Sequence, residues 1–200
     1  MADDVEATLT QLVAEREFDR VATVALETYG SELFGFLVNV IGGPAEASDV
    51  FSQTIENFWR GLPGFAGRCS VRTWLYVLAQ NAAVSYRRSP WNGARRTGDT
   101  QLDTLVASAH SRTAPWQRTD VKDRWRALRE GLDPADRSLL VLRVDRDLAW
   151  NDIARVTLGR AQPAAAELAR ETARLRKRFQ LLKQQLRVSA REAGLVDDPT

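Results

Sequence analysis

The chain of 200 residues is 44% hydrophobic and 27% charged, which suits one or two globular domains with real cores. Its single cysteine, Cys69, and single histidine, His110, exclude a disulfide framework and a Cys/His zinc site built from this chain alone. The net charge of +2 hides a gradient: residues 1–60 carry 3 basic and 11 acidic side chains, residues 61–119 carry 8 and 2, and residues 120–200 carry 17 and 13. An acidic front and a basic remainder make two kinds of surface, the basic one suited to phosphate.

The acidic start, MADDVEATL, has no long apolar run. It reads as neither a signal peptide nor a membrane span, so a cytoplasmic location is expected. Apolar spacing is helical almost throughout and nothing reads as a strand. A first helix is predicted over 4–15 and a second over 18–41, with Val21, Leu26, Leu33, Phe36, Leu37 and Val40 inward and Gly30 as a candidate break. Gly42-Gly43-Pro44 ends that helix and opens the next, Pro suiting a first helical turn. The third helix, over 45–61, turns Ala47, Val50, Phe51, Ile55 and Phe58 to one face and Glu46, Asp49, Gln53, Glu56 and Asn57 elsewhere. Residues 62–67, LPGFAG, form a turn-rich loop.

Ser70 can cap a fourth helix over 71–88, whose buried stripe is Val71, Trp74, Leu75, Leu78, Ala82 and Tyr86. Residues 89–117 are rich in Pro, Gly, Ser and Thr and lose the helical period, as a flexible linker would. Helices follow near 120–130, 134–144 and 150–158, with Asp133 as a cap ahead of Pro134. A break at 159–162 precedes one long helix from Pro163 to about 193. A short helix, a tight turn and a second helix rich in Arg and Lys is a helix-turn-helix arrangement.

Two sets of motifs now stand in order. The first is Ala47-Ser48-Asp49 leading to Phe58-Trp59-Arg60, then Thr73-Trp74-Leu75 leading to Ala79-Gln80-Asn81. The second is Leu132-Asp133-Pro134-Ala135-Asp136-Arg137, then Leu148-Ala149-Trp150-Asn151-Asp152-Ile153-Ala154. With them the chain resembles a bacterial RNA polymerase sigma factor of the extracytoplasmic-function (ECF) group of the sigma-70 family, over roughly 21–88 and 124–187. The resemblance implies an all-α fold of two helical modules joined by a flexible linker. Residues 1–88 would be a four-helix module like sigma region 2, 89–117 the linker, and 118–200 a helix-turn-helix module like sigma region 4 with a long last helix. Two features depart from the family pattern. Ser85 stands where an acidic residue is common, and Pro163–Ala169 reads as an extra helical turn before the basic run.

The site residues follow from the same comparison. On the fourth helix, Trp74, Leu75 and Leu78 read as core. Arg72, Thr73, Tyr76, Gln80, Asn81, Arg87 and Arg88 read as the other face. Amides and arginines can bond base edges and phosphates, and Tyr76 could stack on an unpaired base. The resemblance implies that this face and the 62–70 loop read the −10 element and hold a base flipped from the non-template strand. Asp49, Gln53, Glu56 and Asn57 lie on an acidic, amide-rich face that is either simply solvated or, by resemblance, docks on the coiled-coil clamp of the largest subunit of core polymerase. An acidic face repels DNA phosphate and better suits a protein.

On the last helix, Leu168, Thr172, Leu175, Phe179, Leu182 and Leu186 alternate at spacings of four and three, a seam for packing. Arg160, Gln162, Arg170, Arg174, Arg176, Lys177 and Arg178 are the candidate −35 contacts, with solvated helix surface as the plain alternative. No catalytic constellation, phosphate loop or metal motif is present, so neither enzyme activity nor a cofactor is expected. The expected partners are core polymerase, promoter DNA and, by resemblance, an anti-sigma factor, without direct membrane insertion. Two other readings remain open from the residues: a sigma-like helical interaction protein, and an ordinary helix-turn-helix regulator without promoter-initiating activity.

Overall fold

The computed structural model of the protein describes residues 2–88, 128, 131–192 and 194. Every regular element among them is helical, so the all-α expectation holds. The linker expected at 89–117, with His110, lies outside the described residues. So does the helix expected at 120–130, apart from Leu128. Seven α-helices are described: α1 Ala2–Ala14, α2 Phe18–Ile41, α3 Pro44–Gly61, α4 Val71–Arg88, α5 Pro134–Leu140, α6 Trp150–Leu158 and α7 Ala165–Glu192. The chain divides into two compact units. The first holds the N-terminal residues through 113 with Arg155–Ala164, and the second holds 114–154 with 165–200.

In the first unit α2 is the central helix. All six residues expected to face inward are buried, and Ala22, Ala25, Tyr29, Gly30 and Phe34 join them. The helix runs through Gly30 without a break. A glycine inside a helix costs roughly 1 kcal/mol relative to alanine. Packing along a 24-residue buried helix outweighs that. Length and apolar content would let α2 cross a membrane, but 56% of its apolar window is buried inside the protein, as befits a core helix. Gly42 ends it in the left-handed conformation, φ +100°, with its N–H bonded to the Val38 carbonyl. Gly43 then stands extended as the N-cap of α3 and Pro44 opens the first turn.

α3 buries Ala47, Val50, Phe51, Ile55 and Phe58 as its period predicts, together with Thr54, whose hydroxyl donates to the Val50 carbonyl at 2.7 Å. Its last residue, Gly61, lies against the Trp74 ring: a Cβ there would stand 2.8 Å from Cζ2. A 3₁₀ turn, Leu62–Gly64, follows with Leu62 buried. Phe65 then stacks on Trp74, centroids 4.6 Å apart at 18°, while Phe58 tilts against the same indole at 5.1 Å. This aromatic sandwich ties the 62–70 loop to α4.

In the second unit, the Asp133 side chain caps α5 by accepting from the N–H groups of Ala135 and Asp136 at 2.9 and 3.0 Å. The helix expected over 134–144 changes pitch: α5 ends at Leu140 and a π-helical turn, Val141–Asp145, completes it. The Arg146 N–H bonds the Val141 carbonyl at 3.0 Å, and Asp147 takes a left-handed φ of +49°. The Arg143 guanidinium braces this corner by donating to the Asp147 carboxylate and the Leu148 carbonyl. α7 packs back on α5 through Leu132, Leu140 and Leu182, flanked by Phe179 and Leu186, which is the seam read from the spacing. Trp150 meets Phe179 edge-on at 5.5 Å, and the Thr172 hydroxyl donates to Asn151 at 3.1 Å. The run from Pro163 resolves into two irregular residues and a helix that begins at Ala165. Of the Pro163–Ala169 run read as an extra turn, residues 165–169 belong to the first turns of α7 itself.

Candidate nucleic-acid and partner interfaces

The N-terminus of α4 is more heavily built than its sequence suggests. Ser70 caps it as expected: its Oγ accepts from the Thr73 N–H at 3.0 Å and donates to Thr73 Oγ1 at 2.8 Å. A second acceptor comes from α1. The Glu6 carboxylate takes the Val71 N–H at 2.9 Å and the Arg72 N–H at 3.0 Å. Arg72 in turn forms a two-pronged pair with Glu32 of α2, at 2.6 and 2.9 Å. Its guanidinium lies 5.9 Å from the Tyr29 ring centroid and 6.0 Å from that of Tyr76. Burial opposes the charge on Arg72, but the Glu32 hydrogen bonds and charge outweigh it and hold its pKa above the ordinary value. Burial, reinforced by the neighbouring Glu6 carboxylate, raises the Tyr29 phenol above its usual range.

These contacts correct part of the expected open face. Tyr76 is fully buried and packs edge-on against Phe36 at 5.2 Å, so it does not stand where an unpaired base could stack on it. Thr73 is buried with its hydroxyl bonded to Ser70. The physical reason is that α1, α2 and α3 all pack on α4, so its first turns are covered nearly all round. Arg72 is half-buried in its Glu32 pair rather than presented outward. The Arg87 guanidinium donates to the Val40 carbonyl at 2.8 Å, at the C-terminal end of α2. Leu78 and Tyr86, expected in the buried stripe, are only half-buried. What α4 and the preceding loop present outward is Arg68, Asn81, Ser85, Arg87 and Arg88, with Gln80 half-buried beside them. The Gln80 amide oxygen is buried with no hydrogen-bond partner among the described residues.

The outward side of α3 keeps its expected character. Asp49 and Gln53 are exposed, and Glu56 and Asn57 are half-buried. The Gln53 amide donates to both Glu56 and Asn57 at 3.2 Å, and Glu56 pairs with Arg60 one turn on. Trp59 stands 41% exposed at the end of this face, an aromatic that the sequence reading did not single out.

On α7 the candidate cations divide. Arg178 bonds Asp136 through Nε at 2.6 Å and also reaches Asp133, so it joins α7 to the cap of α5. Arg174 makes two hydrogen bonds to Glu171, at 2.8 and 2.6 Å. Arg170, Arg176 and Lys177 are exposed, as are Arg160 and Gln162 in the preceding turn. The Arg176 guanidinium lies 5.9 Å from the Trp150 ring centroid. Among the described residues no group of His, Cys, Asp and Glu is placed to hold a metal ion.

With this geometry in view, known proteins give a consistent answer. Residues 25–92 match the family model for Sigma-70 region 2. This segment is similar to sigma-70 region 2. The chain is also 34% identical over 122 residues to the ECF RNA polymerase sigma factor SigG of two Mycobacterium tuberculosis strains, CDC 1551 / Oshkosh and ATCC 25618 / H37Rv. The alignment covers 58% of this chain and 30% of each relative, so the chain spans about a third of the length of the curated relatives it matches. Most of α2 and all of α3 and α4 lie within the region 2 match, while α1 and its Glu6 precede it.

Proposed function

We propose that the chain acts as a sigma factor of the ECF kind, directing core RNA polymerase to specific promoters and assisting strand separation. The observation that carries this is the region 2 match at 25–92, laid on a module with an acidic, amide-rich α3 face and a basic end to α4. Opposite charges on neighbouring helices suit two partners at once: a basic protein surface for α3 and DNA phosphate for α4. Asp49, Gln53, Glu56 and Asn57 form the polymerase-facing set, docking on the clamp coiled coil. Arg68, Asn81, Arg87 and Arg88, with Gln80, form the −10 set. Arg72 and Thr73 act behind that set by holding the helix start.

The C-terminal module binds the −35 element through the exposed Arg170, Arg176 and Lys177 of α7. Arg178 and Arg174 serve the fold first, because their guanidiniums are already held by carboxylates. The chain then works as a two-module factor, with residues 1–88 and 118–200 as the modules and 89–117 as the connection. It acts in the cytoplasm, makes and breaks no covalent bond, and is held in check by an anti-sigma protein.

The test is transcription in vitro with purified core polymerase and a pool of promoter-sized duplexes. Initiation at defined start sites only when the chain is added supports the reading. Stable binding to core without any initiation overturns it in favour of a sigma-like interaction protein.

A further inference from the structure

We infer that Glu6, on a helix that precedes the region 2 match, is a positioning residue for DNA opening: it sets the start of α4 and so the anchored end of the 65–70 loop. The proposal rests on the sigma-factor reading above. Three observations carry it. The two oxygens of one carboxylate bond two successive N–H groups of α4 across 65 and 66 residues of sequence. First-turn N–H groups have no partner inside their own helix, and an anion there also meets the positive end of the helix dipole. The carboxylate is held in place by packing, since Leu9 and Leu12 of the same helix are buried at 0% and 4% exposure. Finally, the turn it helps to complete is itself a connector. Thr73 bonds Ser70 at the end of the loop, and Arg72 pairs with Glu32 of α2.

Each end of the 65–70 loop is therefore tied down by a different device. The Phe65 end is stacked on Trp74, and the Ser70 end is bonded to an α4 turn that Glu6 completes. Between them lie Ala66, Gly67 and Arg68, all exposed, and the half-buried Cys69, with Gly67 in a left-handed conformation. A loop that must hold a flipped base offsets the cost of extrusion only if it is already ordered when the base arrives. Release of the Ser70 end adds an ordering cost at that step. The polymerase-facing side of α3 is untouched by Glu6, so core binding and strand opening should separate.

The test uses the full chain with core polymerase, on duplexes that the wild-type chain has selected from a randomised pool. Unpaired thymines are read by permanganate reactivity, core affinity by titration, and the Val71 and Arg72 amides by hydrogen exchange. Glu6→Ala removes both acceptors. Glu6→Gln keeps the shape but turns an NH₂ toward one N–H. Glu15→Gln is the control: it removes the same charge, and Glu15 is exposed, its carboxylate accepting from Gln11 of its own helix.

Expected for Glu6→Ala are core affinity within about twofold of wild type, loss of protection at Val71 and Arg72, and opening reduced roughly five- to tenfold, while Glu6→Gln should keep core affinity, lose protection at one of the two amides and open less than wild type. Glu15→Gln should match wild type in all three. Opening at the wild-type level in Glu6→Ala overturns the proposal, as does a fall in opening that merely follows a fall in core affinity. If the wild-type chain selects and opens no duplex, the sigma-factor reading itself fails and this proposal with it.

Discussion

A single aromatic shows how far one residue's surroundings outweigh its type. Tyr76 carries a ring that could stack on a base, yet the structure leaves it no exposure and seats it against Phe36. Truncating a fully buried aromatic to alanine costs about 3–5 kcal/mol. Tyr76→Ala should therefore shift the urea unfolding curve of the chain by that amount, whereas a base-stacking residue on the surface would leave it nearly unmoved. Gly61 gives a sharper case, because two effects oppose each other. Alanine in a helix gains about 0.5–1 kcal/mol over glycine, while forcing atoms into a packed site costs about 1–3 kcal/mol. The added Cβ would lie 2.8 Å from an indole fixed between Phe58 and Phe65, with little freedom to yield. Overpacking wins, so Gly61→Ala should lower stability by about 1 kcal/mol in the same measurement. A gain in stability would show that the Trp74 ring swings clear.

At the level of elements, α5 is a short helix held by its cap and by α7. The backbone N–H of Asp136 is the main cause that lowers the Asp133 pKa, helped by the Ala135 N–H and by the Arg178 charge. A depressed carboxylate contributes stability above its unfolded pKa, about 3.9, and loses it as pH falls through the folded value. Asn at this position still accepts from an N–H but does not titrate. Wild type should thus melt above Asp133→Asn near pH 6, and the gap should close as the pH falls below the usual carboxylate range. Removing the cap altogether, in Asp133→Ala, should cost about 1 kcal/mol. Arg178 belongs to the same element pair. Its removal leaves the buried Asp136 carboxylate without its guanidinium, so Arg178→Ala should lower the melting temperature. Arg170→Ala and Lys177→Ala should not. Each should instead reduce the salt slope of DNA binding by about one, the value for a single phosphate left unneutralised.

For the molecule as a whole, the α3 face and the α4 start predict separable failures. Asp49→Arg reverses an exposed charge on the α3 side proposed to face polymerase. It should weaken core binding roughly tenfold, about 1.4 kcal/mol, chiefly by slowing association. Helix content should not change, because the Asp49 side chain is exposed and outside the core. Unaltered core affinity, measured by titration against purified core polymerase, would remove α3 from the interface.

The sequence by itself determined the helical class, the bounds of α2, α4 and α6, and the caps at Ser70 and Asp133. Each of these is local. A period of 3.6, a Gly-Gly-Pro stop and a hydroxyl or carboxylate within three residues of its N–H partner all act within one or two turns of chain. The inward sets of α2 and α3 were legible for the same reason, since one face of each is apolar and the other is not. The family likeness was legible because its motifs are runs of neighbouring residues. The tertiary structure decided the rest, wherever partners are distant in sequence. Glu6 meets α4 across 65 residues and Arg178 meets Asp136 across 42, and no spacing rule links such pairs. Tyr76 and Thr73 look outward on a helical wheel that assumes one buried side. They are buried because three helices close on the start of α4, and the number of neighbours a helix acquires is a property of the packed fold, not of its own period.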